Sequence, residues 1–138
     1  MMTYAAKIKK QEGAYLVSFP EFPNVNTYGD TLAEALGNAV EAVNGAIESD
    51  FERGFDLPEP RKYRGRGYYD IDIHPHIEIA YSLRKLRNGR PQVEIARQLN
   101  VSYQAYQKLE NPRRCNPTIK TLEKISAVFG KELKIELV

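Results

Sequence analysis

Tryptophan is absent, cysteine occurs once and histidine twice. The single thiol, Cys115, excludes an intramolecular disulfide and any multi-cysteine metal site. His74 and His76 flank Pro75, with no cysteine or carboxylate at ligand spacing, so no metal centre is expected there. No hydrophobic run is long enough to span a bilayer. The opening stretch MMTYAAKIKKQ alternates like structure instead of following the charged-then-apolar pattern of a secretory signal. The expectation is a cytoplasmic protein with no membrane partner. No phosphate-cradling glycine loop, dinucleotide fingerprint or nucleophile elbow is present, and no cofactor is expected.

Net charge is also scarce, at +2, but that small number hides a division. Residues 1–60 carry four basic groups (Lys7, Lys9, Lys10, Arg53) against ten acidic ones, a net of −6. Residues 61–138 carry sixteen basic and eight acidic groups, a net of +8. Such asymmetry points to two modules with different partners. The acidic half suits a cationic protein, and the basic half can gain affinity for phosphate by releasing counterions. Each module, at about 60 residues, is close to the smallest size that holds its own core, so oligomerisation is expected to add stability.

Periodicity also divides the chain, a little further on. YAAKIKK (4–10) and AYLVSF (14–19) alternate and are joined through Gly13, which predicts a hairpin. Two prolines in PEFPNVNTYG argue against a central strand there, but NVNTYG (24–29) reads as a third strand. From Leu32 to Phe51, apolar residues recur at three- and four-residue steps behind a Thr31-x-x-Glu34 capping box, with Gly54 as the stop. DLPEPRKYRGRG (56–67) reads as a linker or excursion, and YYDIDIHP as a fourth strand. Beyond His76 the pattern is helical: one helix to Gly89, a second from Pro91 to about Leu99, a third over Tyr103–Glu110 and a fourth over Ile119–Phe129. The tail ELKIELV alternates again and reads as a candidate last strand. The fold class is therefore α+β, with a small N-terminal module over 1–73 and a helical module over 74–138.

A nuclease would need several carboxylates converging on a divalent metal. The strands 4–10 and 14–19 carry no acidic residue. Asp70 and Asp72 share one face of the fourth strand, opposite Tyr69, Ile71 and Ile73, and read as a solvent face. The protein is expected not to be an enzyme.

Phe19-Pro20-Glu21-Phe22-Pro23, Gly29-Asp30-Thr31-Leu32, Glu34-Ala35 and Leu57-Pro58-Glu59-Pro60 occur in that order. Together they make residues 3–73 resemble the HicB antitoxin family. The resemblance implies a reduced RNase-H-like fold and, as partner, a HicA-like toxin, a small basic ribonuclease that cleaves mRNA. Each motif also has a structural role as cap, turn or strand end.

In QVEIARQLNVSYQAYQKLEN (92–111), Ala96 permits close helix approach and Asn100 tolerates positive φ in a turn. Val101 plugs the core and Ser102 caps the next helix. With helices on both sides, residues 76–130 resemble the Cro/CI-type helix-turn-helix domain. The sequence departs from that family's habits at Asn100, often glycine; at Tyr106, often β-branched; and at Pro91, often a polar cap. The resemblance places Gln92 against a DNA phosphate. Ser102, Tyr103, Gln104, Gln107 and Lys108 fall on the exposed face of the reading helix, with Arg113 and Arg114 as phosphate clamps beyond it. Double-stranded operator DNA is the expected partner, read by a homodimer or higher homo-oligomer because one such unit covers only a half-site. Leu133, Ile135 and Leu137 of the tail are the candidate dimer contact. Taken together, these features point to an antitoxin that also represses its own operon. The alternative is a DNA-binding regulator whose N-terminal module senses a ligand or dimerises.

Overall fold

The computed structural model describes residues 2–138, and these fall into two compact units that meet between Glu78 and Ile79 in the sequence. The first unit begins with an antiparallel meander, β1 (Thr3–Gln11), β2 (Ala14–Phe19) and β3 (Phe22–Gly29). Glu12 and Gly13 both have positive φ, 52° and 81°, the two-residue turn whose twist matches that of the flanking strands. β3 starts earlier than the sequence suggests and accommodates Pro23. It can do so because the strand order is β3-β2-β1-β4, which leaves β3 at an edge where a missing N–H costs little.

Helix α1 (Leu32–Glu52) follows at once. The Thr31 hydroxyl accepts from Glu34 N at 3.1 Å, and Glu34 Oε2 accepts from the Asp30 N–H at 3.3 Å, so the capping box closes one residue earlier than its usual reciprocal bond. Gly29 matters for steric reasons, not for turn conformation. A Cβ there would lie 2.3 Å from the Ala35 nitrogen, because the strand end and the helix start nearly touch. The buried side of α1 (Ala35, Ala39, Val43, Ile47, Phe51) joins Tyr4, Ala6, Ile8 and Val17 in the core of the unit. Tyr4 meets Phe22 edge-on at 4.8 Å between ring centroids.

Strand β4 (Tyr68–Asp72) completes the sheet by pairing antiparallel with β1, Tyr4 opposite Ile71. Asn44, nearly fully buried on α1, latches it in place. Its amide donates to the Asp72 carbonyl at 3.1 Å and its Oδ1 accepts from His74 N at 2.8 Å. Residues 55–67 hold no regular structure yet are tied down along their length. The Tyr4 hydroxyl donates to the Pro58 carbonyl, Tyr63 donates to Glu21 at 2.7 Å, and Ile8 N donates to the Gly67 carbonyl at 2.7 Å. Helix α2 (Pro75–Arg87) begins in this unit and continues into the next.

In the second unit, α3 (Gln92–Gln98), α4 (Tyr103–Leu109) and α5 (Ile119–Phe129) enclose a core of Leu83, Ile95, Leu99, Tyr106, Leu109 and Ile125. Gly130, at φ 63°, ends α5. The tail beyond it forms no strand, against the sequence pattern. A strand exists only by pairing, and no described segment pairs with residues 131–138. The α+β class and the order of the remaining elements are as the sequence implies. Among the described residues, no helix is long and apolar enough to cross a membrane.

Candidate nucleic-acid interface

The turn between α3 and α4 is built as the residue types require. Asn100 adopts φ 57°, and Val101 N donates back to the Ala96 carbonyl at 3.0 Å, which reverses the chain where the small Ala96 side chain leaves room. The Ser102 hydroxyl caps α4 by accepting from Ala105 N at 3.1 Å, so this oxygen is committed to the helix start. Pro91 precedes α3 without any side-chain cap.

Capping and burial then sort the side chains of α4. Tyr106 and Leu109 face the core, while Tyr103, Gln104, Gln107 and Lys108 are exposed along the other side, and Ser102 is exposed at its start. Tyr103 and Val93, both close to half exposed, line a shallow apolar depression with Pro91 and Gln92. Val93 belongs to this exposed surface although nothing in its sequence spacing marks it. Arg113 and Arg114 are exposed just past α4, in a turn organised by Asn111. Its Oδ1 accepts from Arg113 N at 3.0 Å and its carbonyl accepts from Arg114 N at 3.0 Å.

Gln92 lies at the start of α3 and is held from behind. Its Nε2 donates to Glu110 Oε1 at 3.3 Å. Glu110 is almost wholly buried and accepts two bonds from Arg87, at 2.7 Å from Nε and 2.9 Å from NH2. These bonds to Glu110 raise the Arg87 guanidinium above its already high range. Arg87 donates a further bond to the Arg90 carbonyl. One carboxylate therefore ties the end of α2, the start of α3 and the end of α4 together. Arg87 and Glu110 are distant in sequence and no periodic pattern links them, so the pairing was invisible before the fold.

Tyr106 occupies the position where a β-branched residue is common. Its ring fills the core, but its hydroxyl is buried without a hydrogen-bond partner. Burial first, then the neighbouring Glu110 carboxylate, raises the phenol's pKa and keeps it neutral. Cys115 is buried too, and burial pushes its thiol up to about 11, away from reactivity.

The strongly basic stretch RKYRGRG belongs to the first unit. Residues 1–78 therefore hold eight basic and thirteen acidic groups, a net of −5, and residues 79–138 hold twelve and five, a net of +7. Asp70 and Asp72 are exposed on β4. His76 Nε2 lies 3.2 Å from Glu48, but among the described residues no group of three or more His, Cys, Asp or Glu is placed to hold a metal ion.

Residues 3–73 match the family model described as the HicB-like antitoxin of bacterial toxin–antitoxin systems, and residues 81–135 match the helix-turn-helix model. Antitoxin HicB 1 of Photorhabdus laumondii subsp. laumondii is 30% identical over 127 residues, covering 92% of this chain and 81% of that protein. Antitoxin HicB of Escherichia coli K12 is 27% identical, with 92% of each chain covered. The N-terminal domain of the Burkholderia pseudomallei antitoxin HicB, a crystal structure, is 25% identical with a TM-score of 0.48, over 53% of this chain and 99% of that one.

Proposed function

The chain belongs to the HicB-like antitoxin family of bacterial toxin–antitoxin systems and carries a helix-turn-helix domain, and on that footing we propose that it neutralises a HicA-like mRNA-cleaving ribonuclease and represses its own operon. The first unit supplies the toxin contact. Its net negative charge favours fast encounter with a small basic protein. The second unit supplies operator binding as a homodimer in the cytoplasm, with the exposed row Tyr103, Gln104, Gln107 and Lys108 directed at base edges. Gln92, Arg113 and Arg114 contact phosphates on either side.

The observation that carries this reading is the exposed polar face of α4, capped and buttressed on a unit of net +7, in the same chain as an antitoxin domain. Co-expression with the product of the adjacent gene tests the first half. A stable complex that abolishes RNA cleavage is expected, and failure to co-purify would return the first unit to a ligand-sensing or dimerising role. Footprinting on the upstream DNA tests the second half, with a protected two-fold site expected.

A further inference from the structure

We propose that residues 61–66 of the first unit form a second phosphate-contacting surface, which engages the backbone of duplex DNA while the second unit reads its sequence. Arg61, Lys62, Arg64 and Arg66 place four cations within six residues, with no acidic residue between them. All four are exposed, on a unit whose overall charge is negative. Like charges in a run repel one another and ordinarily lie in mobile, solvated segments.

This run is fixed instead. The Tyr63 hydroxyl donates to Glu21 at 2.7 Å, and its ring stacks on Tyr68 with 5.3 Å between centroids. Lys7 Nζ lies 4.3 Å from the centre of the Tyr68 ring and donates to the Arg66 carbonyl at 2.8 Å. Gly67, at φ 84°, lets the backbone close onto β1, where a Cβ would meet the Ile8 carbonyl at 2.9 Å. The side chains that anchor the strap are thus Tyr63, Tyr68 and Lys7, and the four cations are left to solvent.

A preorganised row of cations is complementary to a polyanion. It gains affinity by displacing counterions, and because the backbone is already held, only the side chains remain to be ordered on binding. A basic toxin would be repelled by this strap and would dock elsewhere on the acidic unit. Duplex DNA is the occupant because the second unit already brings the chain to it, and a tethered second contact acts at a high effective concentration. This choice rests on the operator-binding reading above.

The test uses the full-length protein with Arg61, Lys62, Arg64 and Arg66 all changed to Gln. Binding to labelled operator and to a scrambled duplex is measured by fluorescence anisotropy across a salt series. The slope of log affinity against log salt should become less steep by about two to four on both duplexes, roughly one unit per lost phosphate contact. The ratio between operator and scrambled duplex should not change. The paired variants Arg61→Gln/Lys62→Gln and Arg64→Gln/Arg66→Gln should each give about half the effect, which keeps the test sound if the fourfold variant folds poorly. An unchanged slope with intact operator binding overturns the strap while the operator reading stands. An unchanged slope with weakened toxin binding assigns the strap to a protein partner and overturns it equally. No duplex binding by the wild-type chain, even at low salt, overturns both.

Discussion

Arg87 and Glu110, 23 residues apart, meet through two parallel hydrogen bonds at 2.7 and 2.9 Å, and the same carboxylate holds Gln92. Removing one partner leaves a charge buried without compensation. Arg87→Met should therefore lower unfolding free energy by about 3 kcal/mol, measured by urea denaturation. The double variant Arg87→Met/Glu110→Leu should recover most of that loss. It should still bind the operator more weakly, because Gln92 loses its support. Equal stability of the two variants would show that the pair contributes nothing as a pair.

For the reading face of α4, Gln104→Ala or Gln107→Ala should cost about 1–3 kcal/mol of operator affinity and relax base preference at one position. Arg113→Ala and Arg114→Ala should instead weaken all duplexes alike and flatten the salt dependence. Competition titrations against single-base operator variants separate the two behaviours.

Tyr106→Phe removes a buried hydroxyl that has no partner. At neutral pH the variant should be at least as stable as the parent, by up to about 1 kcal/mol. The folded phenol titrates above its unfolded value of 10.0, so its contribution is fully present below pH 10 and is lost as pH rises toward the folded value. Wild-type stability should accordingly fall faster than that of Tyr106→Phe above pH 10. Parallel pH profiles for the two proteins would contradict the burial argument.

Glycine-to-alanine changes should have opposite signs within one short stretch. At Gly29 the new methyl would press on the α1 backbone, and a loss of about 3 kcal/mol is expected. At Gly37, within α1, a Cβ meets nothing within 4 Å, and helix propensity should raise stability by about 1 kcal/mol. Thermal unfolding of the two variants side by side checks both.

The tail supplies the last prediction. Ile135 and Leu137 are more than half exposed in the single chain, and Leu133 sits beside an apolar groove containing Leu86 and Leu122. If the tail pairs with its twin, deleting residues 132–138 should halve the mass seen by light scattering and weaken operator binding. A truncated protein that stays folded and keeps both its mass and its affinity would place the dimer contact elsewhere.

Much of this architecture was legible where signals are local. Helix α1 carries both its cap, Thr31 with Glu34, and its apolar period. The Asn100–Val101–Ser102 turn is written in three consecutive residues. What escaped the sequence depends on tertiary contacts. Asn44 lies on the buried side of α1, and only the fold shows that its amide bridges to β4. The Arg87–Glu110 pair joins residues from separate helices. The strap at 61–66 falls inside the module over 1–73 that the sequence delimits, but nothing local shows that it is anchored to β1, where Ile8 N donates to the Gly67 carbonyl. The tail is the converse case: its alternation is a strand pattern, and among the described residues of one chain it pairs with no neighbour.

The pairing of β1 with β4, sealed by Asn44, has a consequence for the protein's synthesis. The ribosome delivers β1 first and its outer neighbour much later, with Thr3 waiting for Asp72. Until then the nascent meander and α1 present an open edge along Thr3–Lys7, without the hydrogen bonds and the Ile71 side chain that later cover it. A pause or truncation before residue 72 would release a fragment prone to pairing with other chains. The first unit is complete only when the start of α2 has been made. All of its strands and α1 precede the helix-turn-helix unit in the chain.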